Sequence, residues 1–318
     1  MQPRPPQLPR RALHGVLLLD KPLGWSSNDA LQKVKGMLRA EKGGHTGTLD
    51  PLATGLLPLC FGAATKFSQT SLDADKTYRA TVKLGVTRVG GDLEGEVLQT
   101  RPVDVDEAAL QAACAALRGE IDQVPPMQSA LKHEGKPLYK YARAGIDIER
   151  SPRRVTIHRL DILRWQADEL EIEVRVSKGT YIRTLAEDLG RALGCGAHLG
   201  ALRRVASGAL GVQAAITIEA LAALEPAERE ARLLPPDVLL GGWPAVQLGA
   251  DEAGRFLSGL RRRTELGDCT AVRVYGPEPS AFLGSAHVKS GELIPGRLLS
   301  PPEVQALLHP PQQVAQLN

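Results

Sequence analysis

The sequence predicts an α+β fold that combines a mixed or antiparallel sheet with a small β-rich second domain. Two segments, YRATVKLGV and LEIEVRV, alternate apolar and polar residues as half-buried strands do. Strands and helices follow one another irregularly, which disfavours a regular βαβ array. The last segment, 245–318, has one helical pattern followed by the short strand patterns TAVRVYG and AFLGSAHV.

The first elements are predicted to be a buried strand and a capped helix. GVLLLDKP is apolar up to a turn at Lys21-Pro22. The polar residues 26–28 can cap a following helix. Its apolar face would consist of Ala30, Leu31, Val34 and Leu38. The next segment, GGHTGTLDPLATG, has neither a helical nor a strand period, and we expect a loop there.

Two further helices and a linker set the predicted domain organisation. One helix opens at residues 104–107 and ends near Gly119, and another carries apolar residues from Ile182 onward and ends at Gly194. LLPPDVLLGGWP is typical of a linker. We therefore predict a flexible tail over residues 1–14, a large domain over 15–240 and a small domain over 245–318.

Composition and charge exclude several classes of protein. The apolar fraction is 43% and the charged fraction 24%, which is ordinary for a globular chain, and no apolar run approaches the roughly 18 residues of a membrane span. The net charge is +3, and the tail arginines at positions 4, 10 and 11 account for it. A site for a polyanion must therefore arise from segregated charge. Four dispersed cysteines favour a reducing compartment over a disulfide scaffold.

The loop at residues 43–55 holds the densest set of chemically active residues in the chain. It contains four glycines, three threonines, one histidine and one aspartate. Glycines let a backbone approach a ligand closely, and Asp50, fixed before a proline, can act as a nucleophile or a base. An Asp-Pro turn in a surface loop explains the same residues. The segment is not a P-loop, because it lacks GxxxxGK[ST].

The segment GHTGTLDPLATGLLPLC resembles the catalytic loop of the bacterial tRNA pseudouridine-55 synthases, the TruB family. The resemblance continues in the family's order through GVLLLDKPLGWSS, KTYRATVKLG, GDLEG, PPMQSALKHEGKPLYKYARAG, SKGTYIRTLAEDLG and GCGAHLGALRR. It implies a pseudouridine synthase catalytic domain, α+β with a mixed or antiparallel sheet, over residues 15–240. An RNA-gripping insertion is implied at 125–152, and a PUA-like RNA-binding domain at 245–318.

The resemblance implies an isomerase that detaches uridine 55 of the tRNA T loop from its sugar and rejoins the base through C5. Asp50 would be the essential carboxylate, because it is ionised at neutral pH. The reaction is redox-neutral and needs no group donor, so no cofactor and no metal are expected. A glycosidase using Asp50 is an alternative, although such enzymes usually need a second carboxylate.

Three further residues complete the implied chemistry. Arg183 would pair with Asp50 through two parallel hydrogen bonds, whereas the residues alone also allow a helix salt bridge with Glu187. Tyr78 would stack on the target base and take the C5 proton, although its place on an apolar strand face also fits core packing. Tyr181 would line the same pocket.

Four other positions are implied as substrate contacts. His45 would fill the gap that the extruded base leaves in the RNA stack, or would be a solvated loop histidine. Lys21 and Asp92 match family positions around the pocket, and Leu202 would lie under the base or in the core. Many relatives show TxTxDxxG around the position of Asp92, and TRVGGDLEG departs from this pattern at residues 89 and 90.

Residues 132–164 form the most basic stretch of the chain, with nine Lys/Arg and four Asp/Glu. A solvated face is one explanation. The interleaved Tyr139 and Tyr141 favour RNA, because they offer stacking beside phosphate contacts. The cations expected to hold RNA are Lys132, Lys136, Lys140, Arg143, Arg153 and Arg154.

We expect the partner to be the T arm of tRNA, recognised by its shape and its exposed loop bases. We expect no membrane, no guide RNA, no obligatory protein partner, a monomer and a cytoplasmic location. The block PPMQSALKHEGKPLYKYARAG favours the stand-alone bacterial type over the catalytic subunit of guide-RNA-directed complexes. A non-catalytic RNA-folding protein would need the basic surface but not Asp50, and tRNA folding can also accompany the activity.

Overall fold

The computed structural model of the protein describes residues 9–277 and 281–309. The start of the predicted tail, residues 1–8, lies outside the described residues. Arg11, by contrast, is held twice: its N–H donates to Arg39 O over 2.7 Å, and its guanidinium pairs with Glu230 at 2.7 Å. Leu13 is buried. Residues 11–14 are therefore packed rather than flexible.

The described residues form short strands and helices throughout. The strands are β1 (Gly15–Lys21), β2 (Gly43–His45), β3 (Ala53–Phe61), β4 (Lys76–Leu84), β5 (Val86–Arg88), β6 (Val97–Thr100), β7 (Gly119–Gln123), β8 (Lys132–His133), β9 (Lys136–Pro137), β10 (Arg153–Gln166), β11 (Glu169–Val176), β12 (Ala197–Ser207), β13 (Leu210–Gly211), β14 (Ile216–Thr217), β15 (Ala245–Gln247), β16 (Arg262–Arg263), β17 (Cys269–Tyr275), β18 (Phe282–Lys289) and β19 (Glu292–Leu298). The α-helices are α1 (Ser27–Leu38), α2 (Ser68–Asp73), α3 (Glu107–Ala116), α4 (Leu138–Arg143), α5 (Ile182–Ala192), α6 (Ile218–Ala223), α7 (Pro226–Glu230), α8 (Ala250–Leu257) and α9 (Pro301–Leu308).

The chain divides into two compact units. Unit 1 contains the described residues up to 51, residues 55–72 and the described residues from 208 onward. Unit 2 contains residues 52–54 and 73–207. The domain boundary predicted near residue 245 therefore lies inside unit 1.

Unit 2 is built on an antiparallel sheet with the strand order β12-β4-β11-β10-β7. Helices α3 and α5 cover one face, so that Cys114 and Leu185 join Val82 and Ile172 in one buried core. The alternating patterns that predicted β4 and β11 are confirmed, because their in-phase apolar residues are those that pack under the helices. The α+β class with an antiparallel sheet is likewise confirmed.

In unit 1, strand β1 pairs with β3 on one side, antiparallel, and with β14 on the other, parallel. Strand β2 adds to β3 through the pairs Gly43–Phe61, Gly44–Cys60 and His45–Leu59. The prediction of a loop throughout residues 43–55 is therefore wrong at both ends. The pairing is made by the backbone, and glycine favours it, because a Cβ on Gly43 would lie only 3.2 Å from the Phe61 ring.

The C-terminal part of unit 1 is β-rich, as predicted, with the strand order β15-β17-β18-β19-β16. Its apolar residues share one core with those of β1 and β3, and the rings of Phe67 and Phe282 lie 5.2 Å apart in that core. Within the segment predicted as a linker, residues 233–244, Leu239 and Leu240 are buried in the same core. The Pro and Gly residues of this segment mark a 3-10 helix at Pro236–Leu240.

The predicted cap and apolar face of α1 and the predicted end of α5 are confirmed. The Ser26 hydroxyl accepts the N–H of Asp29 over 3.1 Å and caps α1, whose buried face has the predicted residues. Helix α5 ends before Gly194, which adopts φ +76°. Glycine takes this left-handed conformation without steric cost, so it terminates the helix.

The shared core of unit 1 can be tested with one matched pair of substitutions. Leu293→Ala should lower the free energy of unfolding by about 2–5 kcal/mol, because this fully buried side chain leaves a cavity. Leu98→Ala removes the same atoms from a side chain that is 67% exposed, and it should change stability by no more than about 0.5 kcal/mol. Urea unfolding measures both, and equal effects would contradict the packing of β19 in this core.

Candidate active site

Asp50 lies in a short irregular segment whose backbone is held on both sides. The Ser27 hydroxyl, at the start of α1, accepts the N–H of Leu49 over 2.8 Å and donates to Leu49 O over 3.1 Å. Beyond the carboxylate, Gly24 N donates to Pro51 O over 2.8 Å. Asp50 itself is half-buried. These bonds give the carboxylate a defined starting position, which orientation-dependent catalysis requires.

Lys21 is fully buried at the end of β1 and binds the turn that contains Gly24. Its Nζ donates to Pro22 O over 3.0 Å and to Trp25 O over 2.7 Å. A buried ammonium needs such acceptors, because an unpaired buried charge is strongly destabilising. Both acceptors belong to the turn that contains Gly24, so Lys21 stabilises the turn that holds Pro51. Its predicted contact with substrate stays a prediction.

The Arg183 guanidinium is 5% exposed and is surrounded by oxygen acceptors. Its Nη2 donates to Gln128 O over 2.7 Å. Its Nη1 lies 3.3 Å from Asp92 Oδ2 and 3.4 Å from Gly90 O. The first turn of α5 thereby holds a planar cation in one orientation, between the turn at 90–92 and the segment after β7.

Asp92 is buried as well and is fixed at both carboxylate oxygens. Oδ1 accepts the N–H of Glu94 over 3.0 Å, while Oδ2 faces Arg183. Its backbone forms an isolated bridge with Leu199 of β12. In this structure Asp92 forms an ion pair with Arg183, and its predicted contact with substrate stays a prediction.

Three supporting residues were not anticipated from the sequence. Gln123, 2% exposed, clamps the backbone of Tyr181: Oε1 accepts Tyr181 N over 2.7 Å, and Nε2 donates to Tyr181 O over 3.1 Å. Gly90 and Gln128 act through backbone carbonyls on Arg183. In the sequence, Gly90 and Gln128 are marked only by their place in the matched segments around Asp92 and PPMQSALK. A contact made by a backbone carbonyl does not depend on the side chain, so the residue type does not reveal it.

Tyr78 is half-buried on β4, opposite Val174 of β11 and Arg204 of β12. It packs against the core of unit 2, as does Leu202. Tyr78 therefore packs against the core while the residue stays partly exposed. Stacking on a base stays a prediction for Tyr78, and the contact under the base stays one for Leu202.

The predicted site residues are divided between the two units. Lys21, His45 and Asp50 belong to unit 1, and His45 ends strand β2. Tyr78, Asp92, Tyr181, Arg183 and Leu202 belong to unit 2. The pairing of Asp50 with Arg183 and the wedge role of His45 stay predictions.

The basic insertion folds as a small hairpin, β8–β9, followed by α4. Lys136 Nζ lies 4.5 Å from the centroid of the Tyr141 ring, and Arg143 Cζ lies 5.5 Å from that of Tyr139. Arg154 is 3.7 Å from both Glu120 and Asp122. Across the described residues, the exposed cations without an acidic partner in this region are Lys132, Lys136, Lys140, Arg143 and Arg153.

Other cations of unit 2 are neutralised on the sheet surface. Glu173 pairs with Arg79 at 3.0 Å and also with Arg159. Glu169 pairs with Lys83 at 2.5 Å and with Arg164 at 2.8 Å. Cations on this sheet face are therefore paired with glutamates, whereas those on the hairpin and α4 are exposed without acidic partners among the described residues.

The described residues contain neither a metal-binding cluster nor a membrane-spanning helix. Within 9–277 and 281–309, no three His, Cys, Asp or Glu side chains are grouped to hold a metal ion. Over the same residues, no helix is long and apolar enough to cross a membrane.

Lys76, two residues before Tyr78 on β4, is a buried amine whose Nζ donates to Ala74 O over 2.6 Å. The pKa of its ammonium is lowered from 10.5 to about 8; burial is the largest cause, the charge of Arg204 adds to the decrease, and Asp73 and Asp75 oppose it. The protein therefore pays for keeping this amine protonated at neutral pH.

Lys76 should make stability rise with pH. Between pH 8 and 10.5 the unfolded state binds more protons at this residue than the folded state, so the free energy of unfolding increases with pH there. Below that window both states are protonated and the slope from Lys76 vanishes. Urea unfolding at pH 7.5 and 9.5 should give a more positive change in stability for the wild type and for the exposed control Lys140→Met than for Lys76→Met. The comparison between variants is needed because the raised pKa of the buried Cys60 thiol acts in the opposite direction in all three. If Lys76→Met changes as the wild type does, Lys76 makes no contribution.

Three protein-family models match successive parts of the chain. The TruB family pseudouridylate synthase N-terminal domain matches residues 35–182. The tRNA pseudouridylate synthase B C-terminal domain matches 183–240, and the pseudouridine synthase II TruB C-terminal model matches 244–299.

Curated relatives and solved structures agree with these matches. The tRNA pseudouridine synthase B of Cupriavidus pinatubonensis is 58% identical, covering 93% of this chain and 97% of its own. That of Ralstonia pickettii is 56% identical, covering 93% and 98%. A chain of an H/ACA RNP bound to a substrate RNA containing 2′-deoxyuridine has a TM-score of 0.69 at 23% identity over 92% of this chain and 86% of that chain. A Cbf5-Nop10-Gar1 complex gives a TM-score of 0.68 at 24% identity over 92% and 81%.

The structural neighbours show a shared fold, and the curated relatives show the family. The curated relatives are more than half identical to this chain over nearly its whole length. The family models match residues 35–182, 183–240 and 244–299, and both comparisons indicate the same family. The chain belongs to the TruB family of pseudouridylate synthases.

Proposed function

We propose that this protein isomerises uridine 55 in the T loop of tRNA to pseudouridine, with Asp50 as the reacting carboxylate. The observation that carries the proposal is the segment around Asp50, in which backbone bonds on both sides fix the one carboxylate of the family's catalytic loop. The family assignment supports the reaction class, since the curated relatives are named tRNA pseudouridine synthase B.

Asp50 would act on C1′ or C6 of the nucleotide as a nucleophile, or remove a sugar proton as a base. Each role needs an ionised carboxylate with its backbone already in place, so little reorganisation remains at the moment of reaction. The Ser27 and Gly24 bonds supply that placement.

Arg183 would hold the Asp50 carboxylate in its ionised form. The guanidinium is oriented by Asp92, Gly90 and Gln128, and such prior orientation makes an electrostatic contact effective in a closed site. A guanidinium presents its N–H donors in a planar fork that matches the two oxygens of a carboxylate.

Aromatic and apolar side chains would hold the extruded uracil. Tyr78 would stack on the base and take the C5 proton through its hydroxyl, and Tyr181, fixed by Gln123, would line the pocket. Leu202 would pack beneath the base. His45 would fill the vacated position in the RNA stack.

The hairpin and α4 would grip the T arm. The cations Lys132, Lys136, Lys140 and Arg143 are exposed beside Tyr139 and Tyr141, and Arg153 and Arg154 follow at the start of β10. Phosphate contacts and aromatic stacking are the two forces that hold flexible or looped RNA. Recognition would rest on the shape of the tRNA arm.

The enzyme would act as a monomer in the cytoplasm, without guide RNA or an obligatory protein partner. The block PPMQSALKHEGKPLYKYARAG supports the stand-alone type, and the curated relatives carry a tRNA enzyme's name. All four cysteines are free, which suits a reducing compartment.

The proposal is tested by incubating the protein with unmodified tRNA transcript and mapping pseudouridine at single-nucleotide resolution. Modification of uridine 55 in the absence of guide RNA is expected. Modification of other uridines alone, or a requirement for added RNA, would overturn the assignment of substrate.

Asp50→Asn should reduce turnover by roughly ten-thousandfold or more, because the nearly isosteric amide lacks the charge and the nucleophile. Binding of tRNA should stay close to that of wild type, since the backbone bonds of the segment remain. Tritium release from tRNA labelled at uridine C5 measures turnover, and filter binding measures affinity. Turnover of a few per cent, with deamidation excluded by mass spectrometry, would eliminate Asp50 as the reacting group.

Asp92→Asn should reduce the rate at saturating tRNA by about a hundredfold, because Arg183 loses the ion pair with Asp92 that helps to orient it. Asp161→Asn is the matched control: its carboxylate pairs with Arg159 at 2.8 Å on the exposed sheet face. The control should retain the wild-type rate. A normal rate for Asp92→Asn would show that Arg183 does not depend on this ion pair.

Replacing both Lys132 and Lys140 by Ala should weaken tRNA binding and lower the magnitude of its salt dependence by about one unit of slope per lost phosphate contact. The control replaces Arg79 and Arg164, whose charges are already neutralised by glutamates. Affinity measured at several KCl concentrations gives the slopes. Identical slopes for the two double variants would place the RNA elsewhere.

A further inference from the structure

Unit 2 contains a cavity of about 450 Å³ that none of the proposed chemistry uses. Its walls are the turn at Val89 and Gly90, the segment 122–128, the end of the basic insertion and one face of α5. A volume of this size suits a small organic ligand. The charged and polar lining residues are Asp122, Gln128, Asp147, Arg150, Thr184, Glu187, Asp188 and Arg191.

The cavity has an excess of negative charge. Asp147 pairs with Arg150 at 3.2 Å, and Asp188 pairs with Arg191 at 2.7 Å, so the two guanidinium groups are matched by two of the four carboxylates. The remaining carboxylates are Glu187 and Asp122, and the latter has only an exposed contact of 3.7 Å with Arg154. The electrostatic preference of the cavity is therefore for a cation.

Among the carboxyl groups that line the cavity, Glu187 is the one whose ionised form its surroundings disfavour. Its carboxyl group lies against Gly91, where an added Cβ would come within 2.8 Å of Glu187 Cδ. Burial raises the pKa of the Glu187 carboxyl, the charges of Asp188 and Asp92 add to the increase, and Arg191 and Arg183 oppose it. A bound ammonium would stabilise the ionised form that this environment disfavours.

Thr184 supplies a second, independent indication of a ligand. The residue is 8% exposed and lines the cavity one turn before Glu187. Its Oγ1 is buried and has no hydrogen-bond partner among the described residues. Leaving a buried hydroxyl unpaired is unfavourable, so a ligand N–H that donates a hydrogen bond to Oγ1 would be stabilising.

The shape and lining of the cavity favour an extended organic cation over a metal ion. The carboxylates are dispersed, and no group of three potential metal ligands occurs in the described chain. One wall is apolar and consists of Val124, Pro125, Pro126 and Met127. Methylene groups can pack against such a wall while ammonium groups reach the carboxylates.

We propose that this cavity binds an aliphatic polyamine, with ammonium groups at Glu187 and Thr184 and methylene groups along the 124–127 wall. The site adjoins Gly90 and Gln128, whose carbonyls hold Arg183. A bound polyamine would thus brace the two segments that orient that guanidinium. The inference stands on the cavity alone and does not require the proposed reaction.

The test is isothermal titration of the full-length protein, free of RNA, with spermidine in a buffer without amines. The expected result is saturable binding at one site, accompanied by a rise in Tm. Glu187→Gln should weaken binding by about tenfold or more, because a charge-assisted hydrogen bond is lost. Thr184→Val, which preserves shape, should weaken it by about two- to tenfold. Glu252→Gln, exposed on α8, removes the same charge elsewhere and should bind as wild type does.

Three results would overturn the proposal. The first is the absence of saturable binding by the wild type at millimolar spermidine. The second is equal affinity of Glu187→Gln and Glu252→Gln, with both folded by circular dichroism, because that pattern indicates diffuse attraction. The third is displacement by MgCl₂ far beyond that by NaCl at equal ionic strength, which would indicate a divalent-cation site. Should Glu187→Gln not fold, unchanged affinity of Thr184→Val decides against the proposal.

Discussion

The buried guanidinium of Arg183 is the interaction on which the site in unit 2 depends. A charge that is 5% exposed must be neutralised and hydrogen-bonded, and Asp92, Gly90 and Gln128 meet that need from two different segments. The ion pair joins residues 91 positions apart in sequence. Packing the first turn of α5 therefore also fixes the turn at 90–92 and the start of the segment 125–152, which is proposed to grip RNA.

The same principle recurs at the other functional positions, where supporting residues act on backbone rather than on side chains. Ser27 and Gly24 hold the segment of Asp50, Lys21 holds the turn that carries Gly24, and Gln123 holds Tyr181. Fixing the neighbouring backbone gives each of these side chains a defined starting position.

Sequence patterns predicted the parts of the fold that local chemistry decides. The alternation in β4 and β11, the Ser26 cap of α1 and the Gly194 end of α5 are all confirmed. Strand β2 has no signal in the sequence, because its glycines pair through the backbone alone. In the segment predicted as a linker, residues 233–244, Leu239 and Leu240 are buried by contacts with residues distant in sequence.

For the site, the family resemblance supplied candidate residues but not their partners. The Asp92–Arg183 pair and the Gln123–Tyr181 clamp span 91 and 58 residues, and no local period predicts such contacts. The roles assigned to Asp50, Tyr78 and Arg183 in the reaction rest on the resemblance and on the fixed backbone described above.

Arg183 is proposed to serve the chemical step through the orientation of its planar guanidinium and not through its charge alone. The most direct measurement is the single-turnover rate of Arg183→Lys on tRNA, with the dissociation constant determined in parallel. A lysine keeps the charge but cannot reproduce the fork of parallel donors. We expect the single-turnover rate of Arg183→Lys to fall by about a hundredfold or more while its affinity for tRNA stays unchanged. A near wild-type rate, or a loss confined to affinity, would contradict it.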